Sequence, residues 1–366
     1  MKRFVSTFVY GGLLLVGLTL AYLGWTRAPE PPRPGALVWD LGQLGAIQEV
    51  RLERPAGTIA LRPAAAETGP VWVRVTTPVA PPIPSPAGTP EASPAASPAS
   101  APARTEEFVG TPRAREIVTE LVRLAGKRAL GELPAPKLAE LGLAEPQETL
   151  TVVTAAGERR LALGGTVLGS GLRYAQELGP GGVYVLEPRL LQDLSGAPVR
   201  LLQRDLQPFA PTDFDGVEVL FAGRSQAFAR NPDSTLQWTR AGSAEVVAPA
   251  GPLLAKSTRL KAVRYLPASE TPAGEPLVEL RYLKGTEPLG FLRVFAGEVG
   301  AGGQPRLLGV SGLTAGRAVE LTSPLAAELV TDLAAWWEVP SPLAPPAAAL
   351  PPPAPLLPAP SSSTEP

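Results

Sequence analysis

An uninterrupted stretch of uncharged side chains runs from Phe4 to Trp25, directly after Met1, Lys2 and Arg3, and it decides where the rest of the chain can fold. About 22 residues, at about 1.5 Å per residue, are enough to cross a hydrocarbon layer of about 30 Å. No second stretch of the sequence compares with it. Lys2 and Arg3 favour a cytoplasmic amino end, and Tyr22 and Trp25 suit the far interface, where amphipathic rings gather. Arg27 and Arg33 weaken that charge bias, and Glu30 partly offsets them. The rival reading is a cleaved signal peptide, for which Thr19-Leu20-Ala21 offers weak cleavage chemistry, but the apolar run is longer than a typical signal core. Residues 1–27 are therefore expected to be a cytoplasmic start and a single-pass anchor in a bacterial inner membrane, with the main body periplasmic.

The residue types that are missing narrow the chemistry. With no cysteine there is no disulfide, thiolate metal site or cysteine nucleophile, and with no histidine there is no Ser-His-Asp triad and no ordinary zinc site. Catalysis would have to rest on carboxylates, Lys, Tyr or Ser. No metal and no cofactor is expected. The formal charge is −1, from 33 basic and 34 acidic side chains with no long run of either sign, so no nucleic-acid partner is expected.

Beyond a linker over 28–43, two stretches share one order of features. Ile47, Val50 and Leu52, then 58–61, then Val71-Trp72-Val73 predict three strands. Val217, Val219 and Phe221, then 227–230, then Leu236-Gln237-Trp238 repeat them, with the two tryptophans placed alike. A helix follows in each half. One has Thr111 as N-cap, Pro112 at its first position and Ile117, Leu121 and Leu124 as its apolar stripe. The other starts near Pro252 and carries Leu253, Leu260 and Val263 as far as Tyr265. Further strands are predicted over 150–153, 159–163 and 183–186, and over 277–283, 290–295 and 318–321. Short helices over 188–194 and 324–337 close the halves.

This pattern predicts an α+β protein: a transmembrane helix followed by two tandem, internally duplicated domains, 44–200 and 201–339, with mainly antiparallel sheets and a few helices. The 45 prolines are unevenly spread, with a Pro/Ala/Ser insert over 78–103 and a tail over 340–366 especially rich in them. Neither has the apolar content to build a core, and both read as extended spacers.

The element order, with Leu141-Gly142-Leu143-Ala144-Glu145-Pro146 before Leu150-Thr151-Val152, and with Leu201-Leu202-Gln203-Arg204-Asp205-Leu206, resembles the bacterial family called domain of unknown function 4340. The resemblance spans roughly Leu44 to Trp337. The family's usual Arg before Asp is preceded here by Gln203, and the proline-rich insert is unusual. The resemblance implies a membrane-anchored extracytoplasmic protein, similar to auxiliary components of gliding-motility transport systems of the ABC type, and it brings no catalytic residues.

Asp205, Asp213 and Asp215 cluster around Pro208, Pro211 and Gly216, where carboxylates can hold a hard cation, act as an acid/base pair, or simply close turns. Trp336 and Trp337 offer a possible partner surface, with one ring inward and one outward. Trp72 and Trp238 fit a repeated core role better than a ligand platform. Arg200 and Arg204 are expected in surface ion pairs with Asp205 or a neighbouring acid. The glycines over 164–171 read as a hairpin, Lys256-Ser257 lacks the glycine of a phosphate loop, and no serine sits in a hydrolase elbow. The favoured function is a non-catalytic scaffold or accessory component working with other inner-membrane or envelope proteins. The alternative is a cell-wall polymer binding module or carboxylate-based hydrolase. Replacing Leu14 and Leu15 with Arg should cost about 2.5–3.5 kcal/mol each at the helix centre. The variant is expected to leave the membrane pellet for the soluble fraction, as read by ultracentrifugation and immunoblot.

Overall fold

Apolar side chains at every second position give strands that must bury one face, and the burial of Val71, Val73 and Val75 between half-exposed Trp72 and Arg74 shows that alternation directly. The computed structural model describes residues 36–42, 44–66, 68–79, 103–179, 182–231, 234, 237–272, 274–299 and 305–343. Phe4 to Trp25, most of the 78–103 insert and residues 344–366 lie outside this set. Among the described residues no helix is long and apolar enough to cross a membrane.

The chain divides into two units, one running to Thr105 and resuming over Gly110–Leu202, the other made of Glu106–Val109 and the chain from Gln203. The first contains β1 (Ala36–Asp40), β2 (Ile47–Arg54), β3 (Gly57–Pro63), β4 (Val71–Pro78), α1 (Pro112–Val122), β6 (Arg123–Gly126), β7 (Arg128–Gly131) and α2 (Ala135–Glu140), with β5 (Ala103–Val109) between β4 and α1. It continues with β8 (Glu148–Thr154), β9 (Gly157–Thr166), β10 (Arg173–Glu177), β11 (Val183–Leu186), α3 (Pro188–Ser195) and α4 (Ala197–Arg200). The second contains β12 (Gly216–Phe221), β13 (Arg224–Arg230), β14 (Trp238–Arg240), α5 (Ala250–Arg259), β15 (Ala262–Tyr265), β16 (Val278–Lys284), β17 (Glu287–Val299), β18 (Pro305–Ser311), β19 (Val319–Leu321) and α6 (Ser323–Trp336).

In space the first sheet runs β5-β4-β3-β2-β8-β9-β10-β11-β7 and the second β14-β13-β12-β16-β17-β18-β19-β15. From β4 to β7 and from β14 to β15 the two orders correspond strand for strand, and the pairings are antiparallel. A third, two-stranded sheet pairs β1 with β6. Its counterpart in the second unit is the antiparallel bridge between Asp205 and Lys261. Thr239 likewise bridges Val246 beside β14, in the place that β5 takes beside β4.

Helices cover one face of each sheet. In the second unit, Leu253 and Leu254 of α5 and Leu329, Val330 and Leu333 of α6 share a buried cluster with Val217, Val219, Leu280, Tyr282, Leu292 and Val294. In the first, Ala114, Ile117 and Leu121 of α1 are wholly buried, and α1 lies against β2 and β3. A smaller cluster in the first unit joins Ala162 and Val183 to Leu138, Leu141 and Leu143, so α2 and the turn after it pack on the sheet there. That turn depends on glycine. Gly142 has φ +69°, and Gly165 N–H donates to Leu141 O at 2.8 Å. A Cβ on Gly164 would lie 2.4 Å from the same carbonyl, so Gly164 and Gly165 serve a close backbone approach. Only Gly169 and Gly171, both at positive φ, turn the expected β9–β10 hairpin.

Several expectations need correction. The supposed linker over 28–43 contains strand β1, and Leu41 just after it is wholly buried. The second helix ends at Arg259 instead of running on to Tyr265: Leu260 is extended, and the next residues pair with β19, leaving Val263 49% exposed. A strand ladder took those residues because their backbone groups found partners in the sheet, which a helical spacing of apolar residues does not reveal. Strands β5, β6, β7, β10 and β18 have no counterpart in the sequence expectations. Thr111 does precede α1 but its side chain makes no capping bond, and its hydroxyl is buried without a partner among the described residues. The second unit runs past the expected start of the tail at 340, since Leu343 packs against the second core.

Ion pairs tie the helices together within each unit. Asp193 of α3, with a side chain 9% exposed, accepts from Arg113 of α1 at 2.8 Å and from Arg200 of α4 at 2.9 Å. Lys256 of α5 reaches Glu328 at 3.2 Å and Asp332 at 2.6 Å on α6. Of the acids open to it, Arg200 pairs with neighbouring Asp193, and Asp205 pairs with Lys261. Burial pushes the Asp193 carboxyl up, but the hydrogen bonds from Arg113 and Arg200 outweigh it and hold it below its ordinary range. A depressed carboxylate contributes stability that is complete above its unfolded-state pKa and is lost as pH falls through the folded-state value. Asp193→Asn is therefore expected to cost the first unit about 2 kcal/mol near pH 7. The difference from the parent chain should shrink in acid, as read by urea unfolding at both pH values.

Candidate functional site

The residues flanking β12–β14 build a cavity of about 380 Å³ in the second unit, lined by Pro211, Phe214, Arg230, Trp238 and, from the first turns of α5, Gly251, Pro252, Leu254 and Ala255. Phe214 is anchored in an edge-on aromatic group, 5.1 Å from Tyr282 and 5.8 Å from Phe209 between ring centroids. Tyr282 is wholly buried and donates to Ser257 Oγ at 2.8 Å, which fixes α5 against β16. Burial raises the Tyr282 phenol far above its usual range despite that bond, so it stays neutral.

Arg230, the last residue of β13, stands opposite Trp238 in the ladder. Its guanidinium lies 4.7 Å from the Trp238 ring centroid and 5.7 Å from that of Phe214. Its Nε and Nη2 donate to the Phe214 carbonyl at 3.2 and 3.0 Å, and Nη2 also to that of Pro211. These bonds spend the cation on backbone carbonyls and leave a wall that is mainly apolar. The volume falls at the lower end of the range for small-ligand pockets, about 300–1,000 Å³.

A second cavity, of about 270 Å³ in the first unit, is lined among others by Arg113, Glu120, Arg123, Glu187 and Arg189. Its charges are largely neutralised locally: Arg113 pairs with Glu120 at 2.6 Å, and Glu187 with Lys127 at 2.5 Å.

The three aspartates expected to work together each have a separate structural task. Asp205 is exposed, and it pairs with Lys261 across the bridge that matches β1–β6. In the first unit Asp40 faces Arg123 in the same way, and the following leucines, Leu41 and Leu206, are both buried. Asp213 closes a turn by accepting from Ala210 N–H at 2.7 Å. Asp215 accepts from Gly285 N–H at 2.7 Å and so pins the start of β12 to the β16–β17 hairpin. None of the three lines the cavity. Among the described residues no group of three or more acidic side chains is placed to hold a metal ion.

Trp336 and Trp337 are both half-buried, and their rings stack on each other at 5.0 Å. Trp336 lies 5.0 Å from Phe228, Trp337 stacks 5.6 Å from Phe221, and Arg224 donates to the Trp337 carbonyl at 3.0 Å. Both rings therefore close the core of the second unit, in place of one inward and one outward ring.

The expected equivalence of Trp72 and Trp238 fails. Trp238 is 4% exposed in the core, whereas Trp72 lies on the opposite face from buried Val71 and Val73 and pairs in the ladder with Arg62. The two are one residue out of register, and a one-residue offset in a strand changes the face. Arg230 and Phe214, which shape the cavity, were not foreseen. The only sequence signal is an arginine ahead of the tryptophan across a turn whose length cannot be converted into register.

The chain matches no family model, no curated protein and no solved structure. Trp238→Ala is expected to destabilise the second unit by about 3–5 kcal/mol. Trp72→Ala should cost the first unit only about 1 kcal/mol. Chemical unfolding followed by circular dichroism separates the two outcomes.

Proposed function

We propose that this chain is a membrane-anchored, extracytoplasmic, non-catalytic scaffold or accessory component of an envelope transport or motility system, built from two copies of one ancestral domain. The observation that carries this reading is the repeated Asp-Leu pair. Asp205-Leu206 occupies in the second unit the place that Asp40-Leu41 holds in the first, each aspartate facing a basic residue across an antiparallel bridge and each leucine buried. A residue that recurs in one architectural position is accounted for by folding, and Asp213 and Asp215 are accounted for by the turns they close. The most suggestive carboxylates of the sequence thus have structural work, which weighs against a carboxylate-based hydrolase.

The resemblance to the domain of unknown function 4340 family, through Leu141 to Pro146 and Leu201 to Leu206, supports the same setting. The uncharged run from Phe4 to Trp25 supplies the anchor, and the charge at its amino end the orientation. Two sheets with edge strands offer extended backbone to which other envelope proteins can add.

Extraction of the full chain in a mild detergent, followed by affinity purification and mass spectrometry, is expected to recover the membrane subunits and ATPase of a transporter in reproducible ratio. Recovery of the chain alone, as a monomer, would overturn the scaffold reading.

A further inference from the structure

The cavity beside Trp238 has the composition of a surface that receives extended proline-rich chain. Two prolines, two aromatic rings and aliphatic side chains line it, and its one cation is already engaged by the Pro211 and Phe214 carbonyls, so a neutral apolar occupant is favoured. Trp238 is 4% exposed, and its ring forms part of the cavity wall. Proline-rich segments suit such a place because they are already extended, lose little entropy on docking, and present carbonyls that a tryptophan N–H can bond.

The chain itself contains the matching segment. We propose that Leu350-Pro351-Pro352-Pro353-Ala354-Pro355-Leu356-Leu357-Pro358 of its own tail docks in the Pro211–Trp238–Pro252 cavity. The tail is uncharged between Leu343 and Glu365, which matches the neutral wall. It leaves the second unit itself, since Leu343 packs against the core that Trp238 helps to form. Reach is ample. Arg224, at the start of β13, is bonded to the end of α6, and Arg230 in the cavity stands at the other end of that strand, roughly 20 Å away at about 3.3 Å per residue. The segment 344–366, at about 3.1 Å per residue, extends to roughly 70 Å. The proline-rich insert over 78–103 follows a strand of the first unit, whereas the tail leaves the same unit that holds this cavity. Docking would hold the tail against the second unit and place the site in competition with any proline-rich segment of a partner.

The absence of native cysteine makes the test direct. Ala255→Cys, at the exposed rim of the cavity, is combined with Ala354→Cys in the full chain, in detergent and at high dilution. The intramolecular disulfide is expected to form at least about tenfold faster than in a chain of equal length whose prolines 351, 352, 353, 355 and 358 are glycines, because docking raises the effective concentration of the pair above that of a flexible tether. Equal rates in the two chains would overturn the proposal. So would disulfides formed only between two chains, or faster bonding of Ala255→Cys to Ala92→Cys in the insert.

Discussion

The parity of the strands is the constraint on which both units depend. In a strand each side chain commits its neighbours to the other face, so once Val50 and Leu52, or Val217 and Val219, are buried, every residue of the ladder has its place assigned. The helices then have one face to cover, and α5 and α6 bring their aliphatic stripes to it. This is why a single-position difference separates Trp72, paired with Arg62 on the outer face, from Trp238 in the core beside Arg230. The same residue type on corresponding strands has two different tasks.

Charged groups serve this arrangement. Asp193 gathers Arg113 and Arg200, and Lys256 gathers Glu328 and Asp332, so each unit fastens its first long helix, α1 or α5, to helices near its end. Glu279 on β16 is similarly held by Arg281 at 2.8 Å and Arg293 at 3.3 Å. Burial raises its carboxyl and the two guanidinium partners more than reverse that, so it remains ionised in the sheet. Exposed pairs contribute little, about 0–1 kcal/mol each. The pairs with a buried carboxylate matter more, because removing a partner would leave a charge without solvent.

Repetition within one chain gives an internal comparison that a single domain lacks. Where a feature recurs, as with Asp40-Leu41 and Asp205-Leu206, architecture explains it. Where the units differ, the difference marks what each does alone. The Phe214–Arg230–Trp238 cavity belongs to the second unit, and α2 and the Gly142 turn pack on the sheet of the first.

The sequence by itself determined many of the strands, because period-two burial is written in residues such as Val71, Val73 and Val75, and it determined that α1 starts at Pro112 and that α6 closes the chain's second half. It also revealed the repeated order of elements, since duplicated patterns need no knowledge of contacts. Only the tertiary structure decided that β1 joins β6, that Ala262–Tyr265 is a strand, that Trp336 and Trp337 both face inward, and that the three aspartates part company. The physical reason is common to all of these. Local patterns set a residue's preference for water or core, but the partner of a backbone amide, the face of an edge residue and the meeting of Arg230 with Trp238 depend on register across loops, and register is an energy shared by segments far apart in the chain.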